Sequence, residues 1–179
     1  MIDQKTLKEI LHYNPDTGVF TWRYRDPSYF SLERIAKGWN RRYANTVAGS
    51  FYKLGRNTYV YIDVFAKRTA AHRLAFVYMG VPISQSDQVD HIDGNSSNNA
   101  FSNLRIVTNS QNCRNQRLRL NNKSGHAGVV RDKKYDGWVA SIGYKGKRVY
   151  LGWFKDKDMA IKTRQEAESN YNYSPRHGK

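Results

Sequence analysis

The chain of 179 residues has a single cysteine, Cys113. A lone cysteine excludes an intramolecular disulfide and a cysteine-rich zinc site, and it fits a reducing compartment. Cys113 itself reads as a small packing residue. Long apolar runs are also missing: none approaches the roughly 18 residues of a spanning helix. The N-terminus lacks a basic stretch followed by an apolar one, so a soluble, unprocessed protein is expected. Acidic side chains are scarce, 15 against 30 lysines and arginines, for a net charge of +15. An ordinary solvated surface has little use for that excess, whereas a phosphate backbone does, so nucleic acid is the expected partner and a membrane surface fits less well. No internal repeat is present.

What the sequence does have is aromatics, at 13% of residues with tyrosine commonest, which suits stacking and sugar packing. Residues 3–13 place Leu7, Ile10 and Leu11 on one face of a short helix behind Asp3 as N-cap. The NPDTG run at 14–18 ends that helix, and 19–24 alternates like a strand. Residues 25–43, with Trp39, Arg41 and Arg42, show no clear period and read as a loop or short helix near DNA. From 47 to 66 the β-branched and aromatic residues alternate around a hairpin turn at 54–57. Residues 69–79 have helical spacing and stop at Gly80. His72, on this helix, is expected to pack beneath the turn that follows.

That turn belongs to residues 89–115, around which the chain is organised. The spacing predicts a strand at 88–92, a wide turn at 93–102, a strand at 104–107, and a helix from 109 with Thr108 as N-cap. Asp90 and Asn112 offer oxygen ligands, which favour magnesium or manganese over zinc, and His91 offers a base. Successive strand residues point to opposite faces, so Asp90 and His91 reach one phosphate only if the strand ends or bends there. Asp93-Gly94-Asn95 reads as a turn and nothing more, while the Asn103 side chain can tie the turn to backbone groups.

VDHIDGN followed by SNLRIVTNSQNCRN resembles the HNH endonuclease motif, the ββα-metal core, in the variant whose last histidine is asparagine. Upstream, LHYNPDTGVFTWR and AAHRLAFVYMG are similar to the lead-in of phage-encoded HNH homing endonucleases. The resemblance implies that Asp90 and Asn112 bind one divalent cation, that His91 is the general base, and that Asn103 holds the turn. Asn115, His72, Arg73 and Arg105 match less decisive positions and stay outside the catalytic set.

After Asn115 comes a basic connector with Arg117, Arg119 and Lys123, suited to a solvated linker or a phosphate groove. Beyond it, 128–132, 138–144 and 148–154 read as three strands and 156–171 as an amphipathic helix. HAGVVRDKKYDGWVASIGYKGKRVYLGWFKDKDMAIKT looks like the DNA-binding domain of plant ethylene-response factors. In that fold a three-stranded sheet enters the major groove with a helix behind it. Arg148 and Tyr150 match sheet positions that meet DNA, and Trp138 matches a second-strand tryptophan. Val130 and Asp132 stand where the plant domains have arginines, and Ser141 and Gly143 replace charged readers, so the plant target does not carry over. By charge, Arg131, Lys133, Lys134, Lys145 and Lys147 are further phosphate contacts.

The expected fold class is α+β: an HNH nuclease core with a small antiparallel sheet, then a three-stranded antiparallel sheet packed on one helix. The expected division is a nuclease domain at 1–115 (core motif 88–115), a linker at 116–123, a DNA-binding domain at 124–173 and a loose tail at 174–179. The function expected is a homing-type, divalent-metal-dependent endonuclease on double-stranded DNA, nicking one strand as a monomer in a bacterial host cytoplasm. A DNA-binding regulator with a decayed nuclease core is the alternative, admitted by Asn112 in place of histidine. An RNA-directed role comes third.

Overall fold

The computed structural model describes residues 2–114, 118, 121–174 and 177–178, without the side chains of Asn109, Ser110 and Cys113. It divides into two compact units, Met1–Ile106 and Val107–Lys179. The break lies earlier than the boundary expected after Asn115. Arg114 supplies the reason: it bonds the Tyr171 carbonyl at 3.3 Å and lies over the Tyr144 and Tyr173 rings, which ties its helix to the second unit.

The first unit opens with α1 (Gln4–Ile10), capped by the Asp3 carboxylate accepting from the Thr6 N–H. The expected continuation to Tyr13 does not form. Leu11–Tyr13 is strand β1, paired antiparallel with β2 (Phe20–Trp22). The turn between them wins: the Asn14 side chain accepts the Asp16 and Thr17 N–H groups, and Gly18 takes φ +73°. Residues 25–43, read as a loop or short helix, hold α2 (Glu33–Tyr43). Its buried side of Ala36 and Asn40 is four residues apart, but Asn40 is polar and hides the apolar period. Asn40 instead accepts the Arg25 N–H and donates to the Arg25 carbonyl, and the Arg25 guanidinium lies between the Trp22 and Trp39 rings.

Next come β3 (Ser50–Leu54), β4 (Asn57–Val64) and β5 (Lys67–Ala70), an antiparallel meander with β4 central. Gly55, at φ +60°, opens the first hairpin. Helix α3 (Ala71–Met79) follows β5 directly and ends on left-handed Gly80, whose N–H and that of Val81 close onto Val77 and Phe76. Strands β6 (Gln88–His91) and β7 (Leu104–Val107) pair as a separate two-stranded sheet. One core joins these pieces, with Leu7, Ile10, Tyr13, Phe20, Ile62, Leu74 and Leu104 among its buried members. Each such large side chain contributes about 1.5–3 kcal/mol on burial, so β7 is anchored to the N-terminal elements by mass of contact.

The second unit begins at the end of β7 and carries α4 (Asn109–Arg114). Thr108 and Gln111 form a reciprocal capping box: the Gln111 N–H donates to Thr108 Oγ1, and the Thr108 N–H to Gln111 Oε1. Strands β8 (Val129–Asp132), β9 (Gly137–Tyr144) and β10 (Lys147–Phe154) make an antiparallel sheet in the order β10-β9-β8. Helix α5 (Lys157–Asn170), capped by Asp156, lays Ala160 and Ile161 against Val129, Trp138, Ala140 and Phe154. This sheet on one helix is the expected α+β arrangement. Part of the tail expected to be loose is seated, since His177 packs on the Tyr173 ring and lies 3.4 Å from Arg164. No helix among the described residues is long and apolar enough to cross a membrane.

Candidate active site

Strand β6 ends in Asp90 and His91, both buried, at 9% and 6% exposure. Their contacts diverge as strand alternation requires. Asp90 accepts two hydrogen bonds on Oδ2 from Arg105 of β7, from Nε at 2.9 Å and Nη2 at 2.6 Å. His91 packs against the edges of His72 on α3 and Tyr59 on β4, with ring centroids 5.3 and 6.4 Å away. Its Nε2 lies 3.3 Å from Asn99 Oδ1. Asn99 is oriented by its own Nδ2, which donates to the Ser97 carbonyl. An amide oxygen can only accept, so Nε2 carries the His91 proton and Nδ1 is the basic nitrogen.

The turn from 92 to 103 is a closed network of amides. Asn103 is at its centre: Oδ1 accepts the Asp93 N–H at 2.9 Å, while Nδ2 donates to Asp93 Oδ1 and to the Asn98 carbonyl, both at 2.9 Å. Asp93 also accepts from the Asn95 N–H and the Asn98 side chain. Asp93-Gly94-Asn95 is a turn as expected, and within it Asp93 is the acceptor on which the Asn95 N–H and the Asn98 and Asn103 side chains converge. Burial works to raise its pKa, but hydrogen bonds from Asn98, Asn95 and Asn103 outweigh it and hold the carboxyl below its usual range.

Three anchors fix this turn to the rest of the first unit. Ser96 Oγ donates to the Thr58 carbonyl and accepts the Thr58 N–H. The Tyr13 hydroxyl donates to the Asn99 carbonyl at 2.6 Å, and burial pushes its pKa up to about 12, so it stays a donor. The Phe101 N–H donates to the Pro15 carbonyl. Ahead of β6, Arg73 bonds the Ser84 and Asp87 carbonyls and steadies the entering loop. His72 has its pKa pushed down to about 3, by burial first and by His91 and Arg73 second, so it sits beside His91 as a neutral ring.

Sequence reasoning left out Asn99, Arg105 and the anchors. Arg105 had one legible signal, an opposite charge on the strand expected to follow the turn; Asn99 had none among so many asparagines. The second unit carries Asn112 on α4, its N–H bonded to the Thr108 carbonyl. Cys113's side chain, Asn115 and Arg117 lie outside the described residues.

Asp90 is a buried carboxylate whose charge is balanced by Arg105, and a carboxylate oxygen is a donor suited to a hard cation. Among the described residues no three His, Cys, Asp or Glu side chains cluster. Amide oxygen and water would complete the shell, the donor set of a hard ion.

In the C-terminal sheet, strand register sorts the expected DNA contacts by face. Residues opposite one another share a face. Arg148 is opposite Gly143 and Tyr150 opposite Ser141, in rows facing away from α5; Tyr150 is 64% exposed. Arg148 Nε donates to Ser141 Oγ at 3.1 Å. Arg131 and Trp138 are opposite each other in the rows that face α5, and Lys147 is opposite Tyr144 in the same rows. Trp138 packs on the α5 core beneath Lys157, and Arg131 is ion-paired to Asp136. Trp138 is thus half-buried on the side of the sheet that packs on α5. Trp153, opposite Val139 and 40% exposed, takes the outer place and was missed. A groove of about 1210 Å³ runs along this unit, lined by Arg114, Lys123, Lys133, Lys147 and Arg148 among others.

Residues 69–114 match the sequence model of the HNH endonuclease family, a span that holds α3, β6, β7 and the turn between the two strands. Over 84 residues the chain is 31% identical to Protein 3.8 of Escherichia phage T7, which spans 47% of this chain and 69% of that protein. Among solved structures it is similar to that described as "DNA binding and cleavage by the HNH homing endonuclease I-HmuI", at 23% identity and TM-score 0.40. That likeness covers 64% of this chain and 56% of the other, so the chain spans little more than half of that nuclease.

Proposed function

This chain belongs to the HNH endonuclease family, and from that premise we propose that it is a divalent-metal-dependent DNA endonuclease of the homing type, acting in the cytoplasm of a phage-infected bacterium. The observation that carries the reading is the end of β6. A buried carboxylate paired with the Arg105 guanidinium stands next to a histidine whose Nε2 lies against the Asn99 amide oxygen. Both lie inside the segment shared with the family.

In this mechanism His91 Nδ1 takes a proton from the attacking water, and Asn99 stabilises the imidazolium through Nε2. Asn103 keeps His91 in place by closing the turn, which matters because a small misplacement of a base costs rate steeply. Asp90 and Asn112 would hold one magnesium or manganese ion. When bound, that ion supplies positive charge to the scissile phosphate and the leaving 3′-oxygen. One base and one cation suit one scission per encounter, so a monomer nicks one strand.

The C-terminal unit selects the site in the manner of the ethylene-response-factor domain, with Arg148, Tyr150 and Trp153 on its outer face reading duplex DNA. Arg117, Lys133 and Lys147 serve as phosphate contacts, and Arg131 joins them from the sheet edge. The net charge of +15 supports the pairing with DNA.

The test is supercoiled plasmid carrying phage target sequences, incubated with magnesium or manganese. Nicked circles that a chelator suppresses are expected. His91→Ala should end cutting and leave duplex binding in a gel shift nearly unchanged. Binding without cutting across metals, pH and targets overturns the nuclease reading and identifies a regulator with a decayed core.

A further inference from the structure

We propose that Arg105 is a displaceable counter-ion for Asp90. It holds the carboxylate in place in the metal-free protein, yields it to the incoming divalent cation, and then turns to the scissile phosphate. The inference rests on the nuclease reading above and adds to it the step by which the metal site is kept ready.

The two partners are unequally placed. The Asp90 side chain is 10% exposed, whereas that of Arg105 is 44% exposed. A carboxylate so deep needs a positive partner, because an uncompensated buried charge is strongly destabilising. The guanidinium, in contrast, approaches from the solvent side and can return there on its flexible stem with little desolvation cost. Its grip is also one-sided. Nε and Nη2 converge on Oδ2 alone, short of the fork that bridges both oxygens and makes such pairs strongest.

Asp93 offers no substitute acceptor for the guanidinium, since its oxygens are taken by Asn95, Asn98 and Asn103. A hard cation and Arg105 therefore compete for the charge of one carboxylate. Once displaced, a guanidinium at the mouth of the site meets the next anion to arrive, and phosphate suits its geometry.

Competition and bracing make opposite predictions for metal affinity. Calorimetric titration of manganese into the full chain without DNA separates them. Arg105→Gln should bind manganese roughly three- to tenfold tighter than the wild type, and Arg105→Lys should gain less. Asp90→Asn should bind weakly in either background. Arg105→Gln should nevertheless cut DNA more slowly, its kcat falling while metal binding improves. Thermal melts recorded first establish which variants fold, and Arg105→Lys carries the test if the glutamine variant does not.

Equal or weaker manganese binding by the Arg105 variants, with binding intact in the wild type, overturns the handover and leaves the nuclease reading standing. Absence of manganese binding in every variant, or binding that Asp90→Asn does not reduce, overturns the Asp90 metal site and the handover with it.

Discussion

Replacing Asn103 by alanine is the sharpest probe of the turn between β6 and β7, because one side chain makes three of its bonds. Two donors and one acceptor, each at 2.9 Å, are lost together. At about 1 kcal/mol net per hydrogen bond the turn should lose about 2–3 kcal/mol. Loosening confined to one turn is diluted in the global melting curve of a chain with two compact units. Hydrogen exchange followed at single amides is the right readout. The Asp93 N–H, which donates to Asn103 Oδ1, should exchange roughly 30- to 150-fold faster, the factor corresponding to that free energy. The amides of the C-terminal sheet should not change. Asn103→Asp sharpens the test: it keeps an acceptor for the Asp93 N–H but sets a second carboxylate against Asp93. It should be worse than alanine at neutral pH and recover on acidification as one carboxyl is protonated. Cleavage by Asn103→Ala should show a fallen kcat with little change in KM, since the base is displaced and DNA contacts remain. An unchanged exchange rate at Asp93 in Asn103→Ala would refute the claim that this side chain holds the turn.

Further outcomes follow from other parts of the first unit. Gly18→Ala places a Cβ 2.1 Å from the Asn99 carbonyl carbon at φ +73°, and it should cost more than about 3 kcal/mol; a thermal melt like that of the wild type would contradict the packing. Asn40→Ala strips both backbone bonds to Arg25 and should cost about 2–3 kcal/mol, measured by urea denaturation followed through Trp22 and Trp39 fluorescence. The pH dependence follows from His72, held at about 3 by burial and by the facing His91 and adjacent Arg73, with Tyr59 also against its ring. Below its unfolded value near 6.5 the unfolded chain takes a proton that the folded one refuses. Stability should be level above about 6.5 and fall as pH drops toward 3, by up to about 1.4 kcal/mol per unit. His72→Gln should remove that slope between pH 6.5 and 4.5, and parallel curves for the two proteins would count against it.

The sequence made some of this legible for identifiable reasons. Asp3 and Asp156 cap helices because a side-chain acceptor at that place is a local matter, and Asn14 to Gly18 turns the chain by equally local chemistry. Strand β1 was not legible: Leu11 and Tyr13 fit a helix as well as a strand, and only pairing with Trp22 and Phe20 decides between them. Arg105 and Asn99 escaped because strand register and turn closure, which bring them to Asp90 and His91, are non-local. The outward place of Trp153 was not legible for a related reason. A bulge between Tyr150 and Gly152 resets which residues of β10 face outward, and its presence is not written in local composition.

The bonds from Tyr13 to the Asn99 carbonyl and from Phe101 to the Pro15 carbonyl decide how portable the catalytic motif is. The segment shared with the family, residues 69–114, contains neither Tyr13 nor Pro15. Grafted into another scaffold, or expressed alone, it would carry His91's partner Asn99 on a backbone with its outer supports removed. The N-terminal hairpin thus belongs to the smallest piece of this chain that can be transplanted with its geometry intact. Engineering that exchanges the C-terminal unit should leave the first hundred or so residues as an undivided block.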